Sequence, residues 1–291
     1  MQKTTIALLT AAALGTSGLA AAQMDGPNFS GRVDIRFNDV DGSDLNGSNA
    51  SSKLAVSGGS DDAIAGLSTF YYGRIALRES TGAATGNDVD YIYTGFEGDF
   101  GRVSFGIDDD LVYKYVGAYT DLYRGVGPAT DAIYSSGYAF GEEPSVQYSI
   151  DVGNFSAAAY ADTGVDGANR TQLAASADVG PVSVGAAFAD SSDRDDSEAA
   201  IGGSVDAGIA SLRATYIDRD NDTKPVHVAA VVPLNNVFTA TVGYGDIDNA
   251  AGDTEVNGML MADLGGGLDL NLSVRDGDTN DGVSAGVRYS F

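Results

Sequence analysis

For much of its length this chain alternates apolar and polar residues one by one. In the last segment Val283, Ala285, Val287, Tyr289 and Phe291 alternate with Ser284, Gly286, Arg288 and Ser290. Near the start Phe29, Gly31, Val33, Ile35 and Phe37 alternate with Ser30, Arg32, Asp34, Arg36 and Asn38. Leu268 to Arg275 and Ser145 to Ile150 repeat the pattern. A period of two places alternate side chains on opposite faces of an extended strand. No long segment carries the 3.6-residue period of a helix.

The connections come in two kinds. Short, Gly-centred ones have hairpin-turn chemistry, as in Gly98-Asp99-Phe100-Gly101 and Asp151-Val152-Gly153-Asn154. Long, acidic ones run at 39–49, 80–87, 109–143, 163–168, 190–197, 218–223, 246–253 and 276–281. Long and short alternate, so one end of an antiparallel meander is trimmed and the other is elaborated. The pattern predicts sixteen strands, at 29–38, 50–58, 66–79, 88–97, 101–108, 144–151, 154–162, 169–178, 181–190, 198–206, 209–218, 224–233, 236–246, 254–264, 267–276 and 282–291. Strands of about 9–11 residues cross a bilayer when tilted, and an even count with unequal ends fits a transmembrane antiparallel β-barrel. A secreted soluble β-sandwich buries alternate residues equally well and stays open as an alternative. A solenoid would show a fixed repeat, and none is present.

Composition narrows the chemistry. The formal net charge is −25, which argues against nucleic acid as a partner. Without Cys there is no disulfide, thiolate site or Cys nucleophile, and one His leaves no multi-His metal site. Residues 1–22 have the layout of a secretory signal: Lys3, an apolar run from Ile6 to Leu14, and Ala20-Ala21-Ala22 before the cut. The barrel domain is then expected over 23–291, with 109–143 as its longest connection, and a 35-residue loop is usually functional.

The chain resembles the general bacterial porin family of Gram-negative outer membranes. The likeness lies in Ser30-Gly31-Arg32-Val33-Asp34, in Thr94-Gly95-Phe96-Glu97-Gly98-Asp99-Phe100-Gly101-Arg102-Val103-Ser104-Phe105-Gly106, and in the terminal Phe291. The resemblance implies a homotrimer in the outer membrane, in contact with lipid and lipopolysaccharide. It also implies that the barrel-assembly machinery reads Phe291 as an insertion signal. The third loop would fold into the pore, with Asp121 matching the family's eyelet acid and Asp109, Asp110 and Asp131 as further constriction acids. Where the family usually has a second eyelet acid, this chain has Gly125.

If apolar faces meet lipid, parity turns Arg32, Arg36, Arg74, Arg78, Arg102 and Arg288 into the lumen as a basic wall opposite the loop acids. Opposed charges across a narrow opening make a transverse field. Such a pore passes small hydrophilic solutes and ions by passive diffusion and needs no cofactor. The acidic long loops predict a mild cation preference. A substrate-selective channel and a non-conducting structural or adhesive barrel are the other readings. Asp218-Arg219-Asp220-Asn221-Asp222 has the opening spacing of a calcium loop, but Thr223 stands where Gly is needed and the distal Glu is missing. Loop carboxylates are therefore candidates only for weak calcium or magnesium binding. Gly282-Val283-Ser284-Ala285-Gly286 matches a nucleophile elbow but sits in an alternating strand with no helix after it, so no enzyme is expected.

Overall fold

The computed structural model describes residues 24–40, 45–48, 52–64, 66–77, 88–126, 144–162, 169–191, 196–220, 223–246, 254–278 and 281–291. The expected leader, Arg78 and Asp131 lie outside them. The strands are β1 (Met24–Val40), β2 (Asn46–Ser48), β3 (Lys53–Ile64), β4 (Leu67–Ala76), β5 (Asp88–Gly98), β6 (Gly101–Ile107), β7 (Ser145–Val152), β8 (Phe155–Asp162) and β9 (Arg170–Val179). They continue with β10 (Val182–Ser191), β11 (Asp196–Asp206), β12 (Ser211–Arg219), β13 (Val226–Pro233), β14 (Phe238–Asp246), β15 (Thr254–Asp263), β16 (Leu268–Gly277) and β17 (Gly282–Ser290). Each wall strand pairs antiparallel with its chain neighbours, and β1 pairs with β17 to close the barrel. β2 is a three-residue strand beside the upper end of β1, so the wall has sixteen strands, as the alternation predicts.

Two boundaries differ most from expectation. β1 begins at Met24 because its first residues pair with β3, while its upper half pairs with β17. β3 runs on to Ile64 across a register irregularity after Ser60, where the alternation in the sequence lapses. The short turns behave as read: Gly153 and Gly180 both take φ +62, a conformation that favours glycine in two-residue hairpin loops.

The two faces of the wall are inverted relative to a water-soluble protein. On β1, Val33, Ile35 and Phe37 point outward at 46%, 48% and 55% exposure, while Asp34 between them is fully buried. Across the sheet Leu270, Leu272 and Val274 face outward, and Asn271 and Ser273 are buried inside. An apolar exterior around a polar interior requires lipid outside. That outcome favours the membrane barrel over the sandwich.

Asp34 is the electrostatic centre of the closing seam. It accepts from Nε and Nη2 of Arg36, both at 2.8 Å, and from Nε and Nη2 of Arg288 at 2.8 and 2.6 Å. One carboxylate thus joins the first strand to the last. Asp34→Ala leaves two inward guanidiniums without it and is expected to cost about 3–5 kcal/mol. Urea unfolding of the folded barrel in detergent checks this; an unchanged midpoint would contradict it.

Candidate functional site

The long connection after β6 does not project outward. Its first turn is a short helix, α1 (Leu111–Tyr115), followed by a single 3-10 turn at Gly117–Tyr119. Asp110 caps α1: its carboxylate accepts from the Tyr113 amide at 2.8 Å. Leu111, Val112 and Val116 are buried against Ala158, Ala174, Ala187 and Ala200 of β8 to β11. Directly under the loop the lumen face of these strands is small and apolar, and that makes a bed for it. Gly185 shows how close the contact is, since a Cβ there would lie 2.0 Å from the Tyr115 carbonyl oxygen.

Beyond the helix the loop keeps to the inner wall. The Thr120 and Thr215 hydroxyls are 2.9 Å apart, which ties the loop to β12. Tyr123 packs edge-on against His227 of β13, ring centroids 5.8 Å apart. Arg124 pairs with Asp269 of β16, and its carbonyl accepts from the Ser273 hydroxyl at 2.7 Å. Gly125 follows at φ +88, with Ser284 of β17 so near that a Cβ would lie 2.3 Å from its Oγ. A side chain at that position would strain the backbone and press on Ser284.

The structure gathers most of the expected cations. Arg32, Arg36, Arg74 and Arg288 face inward on β1, β4 and β17. Lys53 of β3 sits opposite Arg32 and joins them; its alternation with Leu54 was the available signal. Arg124 adds a further cation from the loop, and nothing local in the sequence marks it. Arg102 faces inward on β6 but stands apart, with its guanidinium 3.6 Å above the Phe70 ring.

The acids divide. Asp109 accepts from the Tyr91 hydroxyl, and Arg74 stacks 3.6 Å over the same Tyr91 ring. Burial pushes the Asp109 carboxyl above the ordinary carboxylate range, the Asp108 charge adds to this, and the Tyr91 hydrogen bond opposes it. Asp121 is exposed and accepts from the Tyr113 hydroxyl at 2.6 Å. Asp110 is corrected: at 4% exposure it is a helix cap and does not line an opening. Asp108, which pairs with Lys114 at 2.6 Å, is part of the charged cluster instead.

The remaining motifs find structural uses. Ser284 lies in mid-strand under the loop, with no strand–turn–helix around it. Asp220 accepts from the Ser197 amide and hydroxyl at 3.0 and 2.8 Å, and Asp218 pairs with Lys224 at 3.4 Å. Asn221 and Asp222 lie outside the described residues. Phe291 pairs through its backbone with Gly31 and stacks on Tyr289 at the outer surface.

A closed sixteen-strand wall, apolar outside and charged inside, with a loop folded along its lumen, defines an outer-membrane pore barrel. The chain matches a family model described as Gram-negative porin over residues 7–291, and it belongs to that family. No curated protein sequence matches it. Among solved structures it is similar to in-vitro folded OmpT of Vibrio cholerae in its trimer form (16% identity, 92% of this chain and 99% of that one, TM-score 0.76). It is also similar to an anion-selective porin from Comamonas acidovorans (18%, 92% and 100%, 0.74) and to Salmonella typhi OmpF in complex with daunomycin (16%, 91% and 97%, 0.71). At these identities the likeness is one of fold; membership of the Gram-negative porin family places the chain in the bacterial outer membrane.

Gly185→Val should lift the loop from its bed. Overpacking at this contact is expected to cost about 1–3 kcal/mol. The wider lumen should raise single-channel conductance above that of the unaltered protein.

Proposed function

We propose that this protein is a general diffusion porin, a homotrimer that passes small hydrophilic solutes and ions, with a mild cation preference. The observation that carries the reading is the loop lying along the inner wall, with Asp109 and Asp121 held by tyrosines and Asp109 linked through Tyr91 to Arg74. Together they form the constriction. Trimeric assembly is supported by the trimer form of the OmpT neighbour. The outer face meets lipid and lipopolysaccharide, and Phe291 serves the barrel-assembly machinery as insertion signal.

The balance of charge supports the modest selectivity. Among the described residues, Arg32, Arg36, Lys53, Arg74, Arg124 and Arg288 face Asp34, Asp90, Asp109, Asp121 and Asp269 around the constriction. Their near cancellation leaves the sign to the mouth, where Asp39, Asp190, Asp218 and Asp220 stand at strand ends; the acidic sequence of the long connections adds Asp41, Asp44, Asp193, Asp195 and Asp222, which lie outside the described residues. A mouth field acts through water and weakens as salt shortens the screening length to about 3 Å at 1 M.

Reversal potentials across planar bilayers in a KCl gradient test this. A cation preference that shrinks with salt is expected, and an anion preference at low salt would overturn it. Acidification adds a second handle. Because the Asp109 carboxyl titrates above the ordinary range, it becomes neutral first as pH falls. Cation preference should therefore begin to drop at a pH above that of an ordinary Asp, and Asp109→Asn should remove this early step.

A further inference from the structure

On the lumen side of β4 and β5 four aromatic rings form a continuous ladder. Tyr91 meets Tyr72 edge-on at 6.4 Å, Tyr72 stacks on Tyr93 at 5.3 Å, and Tyr93 meets Phe70 edge-on at 6.3 Å. A guanidinium closes each end: Arg74 lies 3.6 Å from the centroid of Tyr91, and Arg102 the same distance from that of Phe70. Register builds this row, since Tyr72 sits opposite Tyr93, Arg74 opposite Tyr91 and Phe70 opposite Gly95. Gly95 is required there, because a Cβ would lie 2.5 Å from the Phe70 ring.

Tyr91 holds Arg74 and Asp109, while Phe70, Tyr72 and Tyr93 keep part of their ring surface exposed. Beside Tyr93, under the first turn of the loop, lies a recess of about 400 Å³. That is within the roughly 300–1,000 Å³ range of small-ligand pockets. Tyr93 and Tyr115 supply its aromatic surface, and Gln147 and Ser149 its neutral polar groups. Its charges are unequally engaged. Lys114 is held by Asp108 at 2.6 Å and Gln147 at 2.9 Å, and Asp109 is held by Tyr91. Arg102 reaches Glu97 only at 3.7 Å, with both side chains almost half exposed (44% and 46%). A guanidinium in this state has capacity for a two-pronged carboxylate contact.

We propose that the recess is a binding subsite for small aromatic carboxylates. The carboxylate pairs with Arg102, and the ring lies between Tyr93 and Tyr115. Asp108 and Asp109, at the loop end of the recess, repel the anionic group and so orient the solute. The ladder extends the same chemistry along the wall as a track of π faces and cations. The subsite deepens the diffusion-porin reading and rests on it for access to the lumen.

The test adds benzoate, cyclohexanecarboxylate or glucose to the purified protein in planar bilayers and follows the KCl current of each variant against its own baseline. Millimolar benzoate should interrupt the current, cyclohexanecarboxylate should act about fivefold more weakly for want of a π face, and glucose should have no effect. Arg102→Gln should weaken the benzoate effect about tenfold through loss of the charged contact, and Tyr93→Leu should abolish the preference for the aromatic acid. Equal action of the two carboxylates, or interruption by glucose, would overturn the proposal. So would an unchanged Arg102→Gln variant. If the protein gives no KCl steps at all, the diffusion reading fails by itself. Titration calorimetry of the detergent-folded protein with benzoate then decides the subsite: binding heat lost in Arg102→Gln supports it, and no heat overturns it.

Discussion

The structure depends on one constraint: backbone polar groups facing hydrocarbon must be paired within the protein. The hydrogen bonds between β1 and β17, reinforced at Gly31 and Phe291, remove the two edges that an open sheet would leave. Asp34 lies on the inner side of that seam with Arg36 and Arg288. Closure and the basic wall are therefore one construction. The two strands that meet to seal the barrel carry Arg32, Arg36 and Arg288 of that wall.

With the wall closed, the lumen divides into two territories. One, on β1, β3, β4 and β17, is charged. The other, on β8 to β11, presents alanines and glycines where the loop lies and keeps Asp162 and Glu198 to its strand ends. The loop settles on the second and reaches across to the first. Leu111, Val112 and Val116 bury apolar surface on the alanine bed, while Arg124 and Gly125 dock on β16 and β17. The loop is thus held at both ends by different physics, apolar contact at one and ion pairing with steric fit at the other.

Tyrosines mediate between the two charge sets. Tyr91 carries Arg74 on its face and gives its hydroxyl to Asp109, so a cation and an acid are fixed through one ring. Tyr113 gives its hydroxyl to Asp121 from within the loop, and burial beside that acid keeps the hydroxyl protonated and able to donate. Held this way, opposite charges stand near one another without all collapsing into contact pairs.

Strand number, topology and facing were legible because lipid and water select residues by parity, a property of neighbours along the chain. Alternation alone turned Arg32, Arg36, Arg74, Arg102 and Arg288 inward, and the length of 109–143 marked the functional loop. Parity does not say which inward residues meet. Arg102 faces the lumen with the others yet belongs to the ring ladder, and Lys53 completes the cluster in which it was not counted. Asp110 is an acid among acids in sequence and a buried cap in the fold. The path of the loop was illegible for the same reason. The paired alanines of β8 to β11 break the alternation only weakly, and their meaning appears when Leu111 and Val116 lie on them. The sequence by itself determined an inside-out barrel, because facing is a local choice between two solvents. The tertiary structure alone decided where the loop lies and which charges oppose each other, because those contacts join residues up to 254 positions apart.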